Sequence, residues 1–278
     1  MEDQRQETDT HMETRLTAMQ EHPDDFIVQC LPGAEYSDNR YMFTYLLQHI
    51  EGKLVLDLGC GDGKYAVYTL HQGARRVCAV DISERAVSAA CMLADLNGVA
   101  NNLVAGVMDG SRLGYRDGVF DLVFGRAILH HFDDDRIHKV MREVCRVLKG
   151  GGEAVFLEPV EDSPLFERIQ QLVPAGRAGT DYYRPSCLSR AQFRQYRETE
   201  IDAVITTEHL SELGCYFDAV HLERFGLLIR LDRFTWDLPW GQRARLALDR
   251  IDEVLFALLP FLRRYCRTAV VHYRKLQL

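Results

Sequence analysis

Strands and helices alternate between residues 53 and 158, and this predicts an α/β fold on a doubly wound, mostly parallel sheet. Two further observations carry the same prediction. The first strand run breaks into glycines at Val55-Leu-Asp-Leu-Gly-Cys-Gly-Asp-Gly63, and an acid, Asp81, ends the second strand. In open parallel sheets ligands lie outside the carboxyl ends of the strands, where both features fall.

The elements follow in order. Residues 1–22 are charged and polar without a regular apolar period, which predicts a segment that lacks fixed structure or folds as a helix only against a partner. From Asp25 to Gln48, Tyr36, Tyr41, Met42, Tyr45 and Leu46 recur at helical spacing, followed by Ile50, and predict a helix that covers a ligand site. Strands are predicted near 53–58, 76–80, 103–107, 120–125 and 153–158. A helix is predicted from Ser83 to Asn97, ending at Gly98, with Ser83 and Glu84 as its N-terminal signal. Another runs from about Asp133 to Lys149, with Ile137, Val140, Met141, Val144, Val147 and Leu148 on one face. After Pro159 the rhythm breaks: residues 160–200 hold Pro164, Pro174, Pro185 and the pair Tyr182-Tyr183, a long connection of the kind that usually serves function. A strand over Phe217–Phe225, an amphipathic helix over Arg243–Arg263 and a last strand over Arg267–Tyr273 complete the chain.

The glycine spacing discriminates among nucleotide sites. Gly59-x-Gly61-x-Gly63 is neither the G-x-G-x-x-G of a dinucleotide turn nor the G-x-x-x-x-G-K-[ST] of a phosphate loop. Asp81, about twenty residues on, suits a ribose diol. It could instead cap the next helix, but Ser83 fills that role better and leaves Asp81 for a ligand.

On these residues the chain resembles the class I S-adenosylmethionine-dependent methyltransferases. Asp57, Gly59, Gly61 and Gly63 match the family's first motif, Asp81 its second, and Met108-Asp109-Gly110 the acid after strand three. Phe120-Asp-Leu-Val-Phe124, Ile128-Leu-His-His-Phe132 and Val147-Leu-Lys-Gly-Gly-Gly152 follow in the family's order, with Gly150 where the family usually has proline. The resemblance implies a Rossmann-like sheet of seven strands with the last antiparallel, an N-terminal helical cover, and a substrate cap inserted at 160–212 of a single domain spanning 23–278. It also implies S-adenosylmethionine as cofactor, held by Asp57, Gly59, Gly61, Asp81, Ile82, Met108, Asp109 and Gly110. Arg126 falls near the methionine end of that site, or is a surface arginine at a helix start.

Methyl transfer from a sulfonium needs in-line positioning and a way to remove the acceptor's proton. Three residues are candidates for that work. His130 and His131 follow strand four, and each reads as a base or as a brace for its loop. Glu158 ends strand five inside the apolar run Val155-Phe-Leu157 and reads as a desolvated base, an orienting group or a loop brace. Tyr36, Tyr41, Tyr182, Tyr183, Trp236 and Trp240 are candidate walls for an apolar small-molecule acceptor, with core packing or a subunit interface as the competing reading.

Composition narrows the partners. A net charge of -8 argues against a nucleic-acid footprint. No apolar run has the length of a membrane span, and the polar N-terminus does not read as a signal peptide. The eight cysteines show no C-x-x-C pair, which predicts buried thiols in a reducing cytoplasm and no metal site. The charged N-terminus and the amphipathic helix before the last strand suit a homo-oligomer. The reading that fits all of this is methyl transfer to a secondary-metabolite or lipid-like acceptor. C-methylation of a prenyl alkene through a carbocation is the alternative within the fold, and a non-catalytic cofactor-binding scaffold is the alternative outside it.

Overall fold

A computed structural model describes residues 2–33, 36–48, 50–161, 163, 205–228, 231 and 239–277. Its frame is one sheet of seven strands in the order β3-β2-β1-β4-β5-β7-β6. These are β1 Leu54–Leu58, β2 Arg76–Asp81, β3 Leu103–Val107, β4 Phe120–Arg126, β5 Leu148–Pro159, β6 Ala219–Phe225 and β7 Thr268–Arg274. β7 lies antiparallel between β5 and β6; the remaining pairs are parallel. The strand order reverses between β1 and β4, the place where an open parallel sheet forms a ligand crevice outside the carboxyl ends of its strands.

Alternating side chains of the strands feed two cores. On one face Leu56, Val80, Val123 and Phe156 meet α5 (Asp134–Val147). On the other Val55, Val77, Phe124 and Val155 meet α2 (Ser37–Leu47) and α3 (Lys64–His71). α5 buries Ile137, Val140, Met141, Val144 and Val147 along one stripe, each contributing about 1.5–3 kcal/mol. Asp133 caps it by accepting the Arg136 N–H at 2.9 Å. α4 (Glu84–Leu96) is capped by Ser83, which accepts the Ala86 N–H at 3.1 Å.

Two segments differ from the sequence reading. Residues 2–21 form α1 (Glu2–Glu21), docked on the chain's own α4. The apolar period that secures it is sparse: Met12, Leu16 and Met19 sit at i, i+4 and i+7 against Val67, Ala86, Ala89 and Leu93. The helix predicted over 243–263 is α7 (Gly241–Leu258), followed by a 3-10 turn over Pro260–Tyr265. Between β5 and β6 a short helix, α6, spans Thr207–Glu212. The polarity of α7 is inverted. Asp249 and Asp252 are buried, while Leu246, Ile251, Val254 and Leu258 are exposed. Both acids are held by partners from distant chain: Asp249 accepts the Ser37 N–H and hydroxyl, and Asp252 accepts the Leu228 N–H.

Candidate active site

The crevice between β1 and β4 is shaped first by the glycine turn. Gly59 and Cys60 donate their N–H groups to the Val80 carbonyl at 2.8 and 3.0 Å, tying the turn to β2. The three glycines have separate duties. A Cβ on Gly59 would lie 2.6 Å from the Ile128 side chain, and one on Gly63 would lie 2.6 Å from Ala90 Cβ. Gly61 has φ +52° and faces open space, with nothing within 4 Å of a built Cβ. The room over the turn therefore belongs to Gly61, whereas the space at Gly59 is taken by Ile128.

Asp81 grips this turn. Its Oδ2 accepts the Gly61 N–H and its Oδ1 the Ser83 N–H, both at 3.0 Å. Burial raises its pKa, against the lowering effect of these backbone N–H groups and of nearby His131. Asp57 lies beneath, 3% exposed, with no hydrogen-bond partner for Oδ2 among the described residues. Burial, followed by the charges of Asp81 and Asp62, pushes its carboxyl well above the usual range. A buried oxygen without a partner costs free energy unless a donor reaches it, so the site fits a ligand that carries one.

Around the crevice, Ile82 and Met108 are half-buried, and the Met108 N–H donates to the Asp81 carbonyl at 2.9 Å. Asp109 is engaged on both oxygens. Oδ1 accepts the N–H and hydroxyl of Ser111, and Oδ2 accepts from Arg136 at 2.9 Å. Burial would raise its carboxyl, but these bonds and the Arg136 charge hold it below the ordinary value. Gly110 is buried against Leu58 and Phe132.

Across the crevice, β4 ends at Arg126 and the chain turns sharply. Ala127 has φ +53°, a left-handed conformation that costs an alanine about 1–2 kcal/mol. Glu158 holds the turn. Fully buried, it accepts the N–H groups of Ile128 and Leu129 at 2.9 Å, that of His130 at 3.4 Å, and contacts His130 Nδ1 at 2.7 Å. Four contacts to one loop make Glu158 its brace. With Nδ1 committed to Glu158, the Nε2 edge of His130 is the part that can act on another group. The His131 ring lies 4.1 Å from that of His130 and close enough to Asp81 to affect its charge, on the β2 side of the crevice.

Arg126 reaches α2. Its Nε donates to Asn39 Oδ1 at 3.1 Å, and its guanidinium lies 5.5 Å from the Tyr65 ring. Asn39 is fully buried, and Asp38 beside it has its carboxyl raised by burial, against Arg126 and Arg245. Sequence reasoning missed both residues; polar residues inside the apolar period of α2 were the available signal.

Of the predicted acceptor walls, Tyr36, Tyr41 and Trp240 fall among the described residues, each in different surroundings. Tyr36 is covered by Arg245, 3.7 Å from its ring centroid, near the Arg126–Asn39 pair. Tyr41 instead packs on Phe225 at 5.1 Å and edge-on to His272 at 5.7 Å. It lines a separate cavity of about 490 Å³ between α2, β6 and α7, with Arg40, Tyr45, Glu253 and Arg263. Trp240 is exposed just before α7. Tyr182, Tyr183 and Trp236 lie outside the described residues, as does most of the predicted cap at 160–212. Among the described residues no helix is long and apolar enough to cross a membrane.

With this geometry in hand, comparisons with known proteins are informative. A family described as "Methyltransferase domain" matches residues 55–152. The sarcosine/dimethylglycine N-methyltransferase of Halorhodospira halochloris is 36% identical over 177 residues, covering 61% of this chain and 58% of that protein. The 27-O-demethylrifamycin SV methyltransferase of Amycolatopsis mediterranei is 37% identical over 101 residues, 36% of each chain. This chain therefore spans only about a third to somewhat over half of these curated relatives. Among solved structures, phosphoethanolamine N-methyltransferase 2 of Haemonchus contortus aligns with a TM-score of 0.56 at 17% identity, covering 86% of this chain and 52% of that one, a likeness of fold.

Proposed function

We propose that the chain is a class I S-adenosylmethionine-dependent methyltransferase that moves a methyl group to a small-molecule acceptor, a reading supported by the methyltransferase-domain match over residues 55–152 and the likeness to the sarcosine/dimethylglycine enzyme. One observation carries the proposal. The Gly61–Asp81 pair and the His130–Glu158 pair are linked through Ile128, which packs over Gly59 and gives its N–H to Glu158, and His131 lies near enough to Asp81 to act on its charge. Bound there, S-adenosylmethionine would supply an electrophilic methyl group on a sulfonium.

Each residue then has a task. Asp81 takes the ribose hydroxyls with the lone pairs its two N–H bonds leave over, and Gly61 gives the room. Asp57 offers its unpartnered oxygen to a donor of the ligand. Ile82 and Met108 flank the base, while Arg136 and Ser111 hold Asp109 at its edge. Glu158 fixes His130 so that Nε2 faces outward and removes the acceptor's proton. Arg126, held by Asn39, meets an anionic group at the far end of the crevice.

The acceptor we propose is a small molecule with an apolar body, such as a secondary metabolite, supported by the half-buried Tyr36 wall. The rifamycin named for one relative is a molecule of that kind. A second reading is favoured by a specific observation: Asp38, Arg126 and Arg245 put charges of both signs near Tyr36, which suits an amino-acid-like acceptor. Incubating the protein with isotopically labelled cofactor and both acceptor classes, read by mass, separates them. In the same assay His130→Gln is expected to lower single-turnover transfer by about 100-fold or more while leaving S-adenosylhomocysteine affinity in place. Absence of cofactor binding in calorimetry would refute the proposal.

A further inference from the structure

α1 lies outside the layers that carry the sheet, yet it touches the glycine turn after β1 and the turn after β2 that follows Asp81. Its Asp9 accepts a hydrogen bond from the Ser83 hydroxyl, and its Arg15 pairs with Asp62. Ser83 is the residue whose N–H holds Asp81, and Asp62 sits between Gly61 and Gly63. These two contacts therefore reach the residues on either side of the Gly61–Asp81 bond. A third, Glu13 with Arg85 at 2.5 Å, fastens α1 to the first turn of α4.

The apolar support of this helix is thin: Met12, Leu16 and Met19 supply its stripe, and apart from Ala18 the rest of Glu2–Glu21 is polar. A helix of this composition is marginal on its own in water, so its order depends on docking. Its charge also matters where it lands. Asp57, Asp62 and Asp81 lie close enough to repel one another, and Arg15 brings a positive charge to that group.

We infer that Asp9 and Arg15 are positioning residues, and that docking of α1 and binding of the adenosine-bearing cofactor are linked, each strengthening the other. This rests on the reading of the crevice as a cofactor site. Docking fixes the Ser83 turn and the glycine loop in the arrangement that lets Asp81 accept from Gly61 and still offer lone pairs to a diol. An undocked α1 leaves Asp62 without Arg15 and Ser83 without Asp9, so the same site must be ordered at the ligand's expense. Linkage is reciprocal: a ligand that prefers the docked form protects α1 by the factor that docking adds to its affinity.

The test uses the full chain and S-adenosylhomocysteine. In the wild type, saturating ligand is expected to slow amide hydrogen exchange across residues 9–21. The double variant Asp9→Asn, Arg15→Gln is expected to bind the ligand about tenfold more weakly and to lose that protection. A purely structural helix would lower the melting temperature of the variant without either effect. If the wild type binds the ligand but exchange in α1 ignores it, and the variant binds equally tightly, the inference is overturned while the site stands. If the wild type does not bind at all, the reading of the crevice fails first and takes the inference with it.

Discussion

Two regions of the molecule are held by different mixtures of bonds. On the flank built from β1, β2 and the β4 turn, the carboxylates are gripped largely by backbone: Asp81 by Gly61 and Ser83, Glu158 by Ile128, Leu129 and His130. On the side built from α2, β6, β7 and α7, most grips run from side chain to side chain, Arg126 with Asn39, Arg40 with Asp249 and Glu253, Arg263 with Glu223, beside the backbone N–H groups that Ser37 and Leu228 give to Asp249 and Asp252. Backbone donors have no rotamers to freeze, so a carboxylate set among them stays in place at little entropic cost. Paired side chains must be ordered together and can be repacked by a few substitutions. The first arrangement suits a ligand of one fixed shape; the second suits a surface that a chain can adapt to its own acceptor.

The sharpest way to break this contrast is Glu158→Leu. It orphans three N–H groups and removes what holds Ala127 left-handed, so a loss of about 3 kcal/mol or more of unfolding free energy is expected in denaturant titration. A loss below about 1 kcal/mol would mean that the loop has other supports and that the backbone grip is not what fixes this flank. Next in size is Asp81→Asn, which keeps the shape and removes the charge. Calorimetry is expected to show S-adenosylhomocysteine binding weakened by roughly 10- to 100-fold, since hydrogen bonds to a charged group contribute about 1.5–3 kcal/mol. An unchanged affinity would remove Asp81 from the ligand site.

The same contrast explains what could be read in the sequence. Gly59, Gly61 and Gly63 all have positive φ, and Asp81 ends a run of buried aliphatics, so backbone demands wrote themselves into residue types over a short stretch. The helix boundaries set by Ser83 and Asp133 were legible for the same local reason. The acceptor flank was not. Ser37 meets Asp249 across 212 positions, and nothing near either residue announces the other. The apolar residues of α7 mark an amphipathic helix, but that pattern does not announce that Asp249 and Asp252 are buried, because their partners lie on α2 and at Leu228. Tyr41, a candidate acceptor wall in the sequence, packs on Phe225 and His272, neighbours that β6 and β7 bring from far along the chain. α1 stayed hidden because three apolar residues among twenty positions make a weak period, made sufficient only by the surface of α4.

The smallest effect probes the side-chain flank at its least satisfied point. His272 on β7 pairs with Val155 and His221 across the sheet, and Tyr45 stands edge-on to it at 4.1 Å. Neither ring nitrogen has a hydrogen-bond partner among the described residues. Burial, followed by the charge of His221, lowers its pKa from 6.5 to about 4. The unfolded chain therefore takes up this proton more readily than the folded one. Folded stability is then unaffected by this residue above pH 6.5, falls as the pH drops from 6.5 toward 4, and levels off below. His272→Phe keeps a ring in the same place and removes the titration. Its melting temperature should track the wild type at pH 7.5 and exceed it at pH 5, the gap opening across that interval. A constant gap would show that His272 finds a partner when charged. The side-chain flank would then be as well satisfied as the backbone one, and the contrast between them would rest on geometry alone.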